Sequence, residues 1–350
     1  PDGQSIYWAS LNKAKKSVTL ALDTPEGREL AADLMCAPGD GAGIVLTNLP
    51  AKGWMSYEAL AARRPDLIMM RLTGNFDGSA AVDYTVNCAG GFPITTGDDL
   101  RPVNHVLPAW DVAAGLYLAA GVLSAERVRL RQGIGQEVKL ALSDVMLATV
   151  GNLGYIGDAQ INGASREPIG NHLYGAFGRN FATADGRDVM VAAISNRQWQ
   201  ALAKATGLAT RLAMIGPLME VDLDTEGGRY SARHAIAAVF EPWFAARTLA
   251  EVAASFTGTG VLWGPYQDFR QLVADDPRCS RANPMFADVE QPGIGTVLTP
   301  RVPLSFSASL ARAPQASPRL GENTAAVLQE LLGKSTDDVA GLRERGIIAR

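Results

Sequence analysis

The chain has 350 residues, 47% hydrophobic and 19% charged, with a formal net charge of −4. That supplies core material for two domains or one large α/β domain, and it leaves no basic stripe of the kind a nucleic-acid backbone demands, so nucleic-acid binding is set aside. The longest apolar run, 112–123, falls short of the ~20 residues that span a bilayer and contains Gly115 and Gly121, so no membrane anchor is expected.

In chain order, residues 17–22 read as a strand, 26–35 as a helix, and 44–47 as a second strand closed by Asn48, Leu49 and Pro50. Residues 56–62 then read as a helix and 67–72 as a short buried strand. This alternation predicts a parallel sheet flanked by helices, a Rossmann-like arrangement. Gly39, Gly41 and Gly43 imitate a dinucleotide loop, but they follow a helix and precede a strand, which is the wrong order, so a nicotinamide cofactor is rejected in favour of a tight connection.

A long helix is predicted over 111–130, a strand over 136–142, and then a helix holding Asp144, an ordinary N-cap. Residues 161–179 are rich in Gly, Asn and Pro and read as a linker or binding loop. Beyond them come a strand at 188–193, amphipathic helices at 199–206, 232–245 and 249–255, and an exit segment at 261–265. The C-terminal stretch returns to short strands and a last helix, 324–332. The predicted plan is a large domain over 1–160 and 286–350, interrupted by a small α/β domain over 181–265, with linkers at 161–180 and 266–285.

Cys36, Cys88 and Cys279 stand far apart, which suits reduced, buried thiols in the cytoplasm better than disulfides or a zinc site. His105, His172 and His234 lack ligand spacing, so no metal is expected. His105 reads as a satisfied structural histidine. Pro1 follows no initiator methionine and precedes no signal sequence, so the natural N-terminus is expected to be missing.

One carboxylate stands out. Asp111 lies just after Pro108 at the start of a helix whose next residues, 112–123, are almost wholly apolar, so that helix can be buried on nearly every side. The N–H groups and partial positive charge of a helix start favour the ionised carboxylate even where water is scarce. Ionised and poorly hydrated describes a usable oxygen nucleophile. Plain capping explains an aspartate there equally well on local pattern alone.

An ordered set of phrases adds to this reading: 11–17, Asn48-Leu49-Pro50, Val82-Asp83-Tyr84 with Asn87, Asp111 with Gly115, 133–136, and 318–324. Together they resemble the family III CoA-transferases, the group that includes α-methylacyl-CoA racemase, over essentially the whole chain. The resemblance implies an interlocked homodimer and no permanently bound cofactor, with CoA entering as part of a thioester substrate beside a dicarboxylic acid. It places the acyl-carrying role at Asp111. It also implies that roughly 50 residues, more than the ~30 of a βαβ unit, precede this chain in the family and contribute to its CoA pocket.

Asn48, Leu49, Pro50 and Lys52 follow a strand's C-terminal end, where open α/β sheets bind ligands, and are candidate CoA contacts. Asn12 and Lys13 join them, Lys13 with Lys15 and Lys16 as possible phosphate partners or as a solvated face. Asp83 matches an acidic family position near the thioester, and equally a turn-capping aspartate. Intramolecular CoA transfer is the leading reading, with transfer between two separate acids, racemisation, or a non-catalytic CoA-binding role as rivals. Racemases of the family carry a histidine where Val82 stands, and valine cannot take a proton.

Overall fold

The computed structural model describes residues 3–97, 101–309 and 312–349; Pro1, read above as a late start, lies outside the described residues. A three-stranded parallel sheet organises the first part: β1 (Ile44–Thr47), β2 (Ile68–Thr73) and β3 (Gln136–Ala141), in the order β1-β2-β3. Ile44 is in register with Ile68, and Ile68 with Gln136. The central strand begins with the fully buried run Ile68, Met69 and Met70, as a strand covered on both faces requires.

The connection from β2 to β3 contains the helix Ala109–Gln132, whose Leu118 and Ala125 pack on Ile68 and Met70. Gly121 sits where a Cβ would lie 2.7 Å from the Met70 Cε, so a bare backbone lets this helix approach the sheet closely. On the other face, Leu60, Leu67 and Met69 form a second cluster with Ala32 and Met55. The helix Pro25–Met35 opens with Thr24, whose hydroxyl accepts the Gly27 N–H at 3.0 Å, a regular N-cap.

Residues 17–22 form no strand, contrary to the sequence pattern. Their donors are spent elsewhere: the Ser17 N–H reaches the Asn323 side chain at 2.9 Å, the Thr19 N–H reaches Thr324 Oγ1 at 3.0 Å, and the Ala21 N–H reaches the Ile347 carbonyl at 2.8 Å. With side chains and a chain end as partners, there is no ladder to join. The helix Thr324–Leu332 appears as expected, followed by a further helix, Thr336–Glu344.

The described chain divides into two compact units, one from Pro1–Val86, Pro108–Asn152 and Val273–Arg350, the other from Asn87–Leu107 and Leu153–Leu272. The second holds an antiparallel sheet of β4 (Phe177–Ala182), β5 (Asp188–Ala193) and β6 (Leu262–Pro265), with β5 central. The helices Asn196–Thr206, Arg233–Ala245 and Leu249–Phe256 bury Trp199, Phe240, Phe244 and Phe256 in one core with Phe177 and Phe181. A hairpin of β7 (Phe286–Gln291) and β8 (Gly295–Pro300) belongs to the first unit. No helix among the described residues is long and apolar enough to cross a membrane.

Candidate active site

Parallel strands followed by crossover helices bring every helix start to the C-terminal edge of the sheet, the edge where open α/β folds bind ligands. The start of Ala109–Gln132 is such a place, and Asp111 is its third residue. Pro108 precedes the helix without any side-chain cap bond. The cap comes from a residue distant in sequence.

That residue is Asp83, at the start of the helix Asp83–Ala89 and only 3% exposed. Beyond β2 the chain turns back on itself so tightly that a Cβ at Gly74 would lie 2.1 Å from the Ala81 backbone nitrogen, which only glycine permits. The return carries Asp83 beneath the long helix, where its Oδ2 accepts the Trp110 N–H at 2.7 Å and the Asp111 N–H at 3.2 Å. Its other oxygen, Oδ1, is buried and has no hydrogen-bond partner among the described residues. These bonds cap a helix across 27 residues of chain, whereas the sequence suggested a local turn cap or a position near the thioester.

The cap changes the electrostatics expected at Asp111. Two of the helix-start N–H groups are turned to the Asp83 carboxylate and do not serve Asp111, whose own carboxylate accepts no hydrogen bond from the described residues. Loss of hydration first, and the Asp83 charge second, push the Asp111 carboxyl above its ordinary range. The expectation that the helix start favours the ionised form is therefore corrected. An ionised Asp111 here is poorly stabilised, which makes it a stronger nucleophile than a well-capped one.

A second correction concerns the long helix itself. Only one face is buried, by Ala114, Leu118 and Ala125, whereas Leu116, Leu123 and Leu130 are 70%, 71% and 78% exposed. Spaced by seven residues, they form an apolar stripe along one side of the helix. Asp111 is exposed in the single chain as well.

The other predicted residues are spread around the first unit. Asn48, Leu49, Pro50 and Lys52 form an exposed loop leaving β1, where the Leu49 N–H bonds the Thr47 hydroxyl at 3.0 Å and Lys52 precedes the short turn of helix Gly53–Met55. Asn12 closes the helix Ile6–Leu11, its side-chain amide donating to the Trp8 carbonyl at 2.9 Å. Lys15 is tied to Asn12 and the Leu11 carbonyl, and Lys16 to Glu330 at 2.6 Å, so both have structural partners. Lys13 lines a cavity of about 160 Å³ with Ser10, Gln291 and Thr299.

Asp144 is exposed in the first turn of Leu142–Asn152 and makes no capping bond, so it supports that helix by charge alone. The His105 Nδ1 is buried without a partner among the described residues, unlike the satisfied histidine expected there. His172 stacks edge-on against His234 at 4.9 Å, and burial, with the nearby Arg179, lowers it to about 4, so it stays neutral near pH 7. Cys88 is exposed, and Cys36 and Cys279 are half-buried, so the expectation of buried thiols does not hold. Gly39, Gly41 and Gly43 all have positive φ in the connection into β1, as the turn reading requires.

Comparison with known proteins adds independent evidence. The chain is 51% identical over 99% of its length to 2-methylfumaryl-CoA isomerase of Chloroflexus aurantiacus, covering 86% of that protein. It is 28% identical over 99% of its length to succinyl-CoA–D-citramalate CoA-transferase of the same organism, covering 85% of it. A crystal structure of a CAIB/BAIF family protein from Brucella suis superposes with a TM-score of 0.76 at 26% identity, over 94% of this chain and 84% of that one. The family model described as CoA-transferase family III matches residues 1–324, and the chain belongs to that family.

Proposed function

We propose that this protein moves CoA between the two carboxyl groups of one dicarboxylic acid, converting the C1 thioester of 2-methylfumarate (mesaconate) to the C4 thioester through covalent intermediates on Asp111. The observation that carries the reading is an unbonded carboxylate, made harder to ionise, in the first turn of the sheet's crossover helix. The 51% identity to a 2-methylfumaryl-CoA isomerase supplies the substrate.

In this mechanism an Asp111 oxygen attacks the thioester carbonyl carbon, the C–S bond breaks, and CoA leaves as thiolate, giving an aspartyl anhydride. The thiolate then attacks the Asp111 carbonyl, the anhydride C–O bond breaks, and the acid departs as a carboxylate from an aspartyl–CoA thioester. The acid stays bound. Its other carboxylate attacks the aspartyl thioester and expels the thiolate, which finally attacks the substrate carbonyl of the new anhydride and restores the Asp111 carboxylate. No proton is consumed, so no acid–base pair is required.

Asn48, Leu49, Pro50 and Lys52, with Asn12 and Lys13, are proposed to hold the CoA portion, the two lysines pairing with its phosphates, while Asp83, first read as a CoA contact, is buried as a cap and is not among them. A homodimer is proposed as well: the exposed Leu116, Leu123 and Leu130 stripe is the kind of apolar surface that a second copy would cover. The interlocked form implied by the family resemblance and the cytoplasmic setting belong to the same proposal. Racemisation is disfavoured by Val82, 60% exposed beside Asp83 and unable to exchange a proton.

The test is to incubate the full-length protein with the C1 thioester and isotope-labelled free mesaconate, following the C4 thioester by chromatography. Unlabelled product is expected. Label in the product would replace the intramolecular reading with transfer between two acids.

A further inference from the structure

We infer that Asp83 is a positioning residue that drives acylation of Asp111: its buried charge opposes the free Asp111 carboxylate and ceases to oppose it once that group is acylated. The inference rests on the role proposed for Asp111 above.

The geometry has three parts. Asp83 is 3% exposed, so little water screens its charge. Its Oδ2 holds the N–H groups of Trp110 and Asp111, which fixes the carboxylate within one residue of the nucleophile and leaves those donors unable to serve Asp111. Its Oδ1 is buried with no donor among the described residues, so the charge is only half compensated. A helix cap alone is satisfied by serine, threonine or asparagine, which bring no net charge. A buried aspartate gains from the partial positive charge of the helix start, but set against a second aspartate it also carries a repulsion that a neutral cap avoids.

The cost is recovered during the reaction. When an Asp111 oxygen bonds the thioester carbon and the C–S bond breaks, the negative charge leaves Asp111 and departs on the CoA sulfur. In both the anhydride and the aspartyl thioester Asp111 is neutral, and the repulsion from Asp83 is gone. Asp83 thus raises the free enzyme relative to the covalent intermediates, a ground-state effect with a stated geometric origin.

Other charges near the long helix do not compete with this one. On the sheet, Arg71 pairs with Glu137 at 2.8 Å and Lys139 with Glu137 at 3.1 Å, and Asp144 lies exposed on the adjoining helix. Asp83 is the one charged group among the described residues whose field shifts Asp111, and it shifts it upward.

The experiment compares the full-length wild type with Asp83→Asn, Asp83→Glu and Asp83→Ala. Asparagine keeps an oxygen for the Trp110 and Asp111 N–H groups and removes the charge. The expected result for Asp83→Asn is a melting temperature at or above wild type, KM within about twofold, and kcat lower by on the order of tenfold. Its acidic limb of kcat/KM should move down by about one pH unit, because Asp111 ionises more readily without the neighbouring charge. The acyl-enzyme fraction, read by intact mass after acid quench, should fall. Asp83→Glu should restore part of the acidic limb, and Asp83→Ala should lose both the charge and the cap.

An Asp83→Asn enzyme with an unmoved acidic limb and an unchanged acyl-enzyme fraction would overturn the inference. Asp111→Ala in the same series separates the two ideas. If it still turns over, the nucleophile assignment fails; if it is inactive while Asp83→Asn matches wild type, only the inference about Asp83 fails.

Discussion

The aromatic core of the second unit and the first turn of the long helix obey opposite rules. In the core, Phe181 stacks on Phe244 at 4.5 Å and Trp243 stacks on Phe256 at 5.4 Å. At the helix start, two carboxylates are set close together, one buried with an orphan oxygen and one without a donor. Well-matched packing marks a region selected for stability. A buried charge set against a second carboxylate is a local violation of the kind that proteins keep at functional sites.

This contrast predicts different responses to substitution. The largest effect belongs to the helix start: Asp111→Ala should reduce turnover by at least ~10³-fold while leaving the fold intact, measured by steady-state kinetics beside circular dichroism. Retained turnover would break the comparison. In the core, Phe240→Ala should cost about 3–5 kcal/mol through the cavity it leaves, read from urea unfolding, with much smaller changes in kcat for the protein that remains folded.

Between these lies the exposed stripe. Leu123→Asp should change the intrinsic stability of one chain by only about 0.5 kcal/mol, yet shift sedimentation toward monomer if a second copy covers Leu116, Leu123 and Leu130. An unchanged sedimentation profile would remove the support for a dimer on this face.

The smallest effect carries the sharpest sign. Asp111 has its carboxyl raised in the folded protein, so its contribution to stability is full below the ordinary value of 3.8 and is lost as pH rises through the folded value. Asp111→Asn escapes that loss. It should therefore melt above wild type at neutral pH, with the gap closing in acid. A variant that melts lower at pH 7 would mean the carboxylate is stabilising, contrary to the geometry.

Much of the scaffold was legible in the sequence. The parallel strands β1 and β2 announce themselves as short apolar runs between helical segments, β3 is a half-polar run after the long helix, and Pro108 followed by an apolar stretch marks where that helix begins. What local pattern could not supply was any partner distant in the chain. Residues 17–22 look like a strand, but their bonds go to Asn323, Thr324 and Ile347. β4 hides in a glycine-containing stretch because its pairing with β5, not its own pattern, makes it a strand.

The site divides in the same way. Asp111 was visible because helix starts are written locally. The long-range cap formed by Asp83 was not legible, since its bonds to Trp110 and Asp111 depend on the fold-back permitted by Gly74. The exposed side of the long helix was misread because an all-apolar sequence says how much can be buried and not which face finds a neighbour within the chain.

The most direct test of the covalent reading is to add hydroxylamine to full-length protein during turnover with the C1 thioester, digest it, and locate the modified residue by mass spectrometry. A hydroxamate on Asp111, absent without substrate, is the predicted result. Substrate-dependent modification at another residue, or none while product still forms, would contradict it.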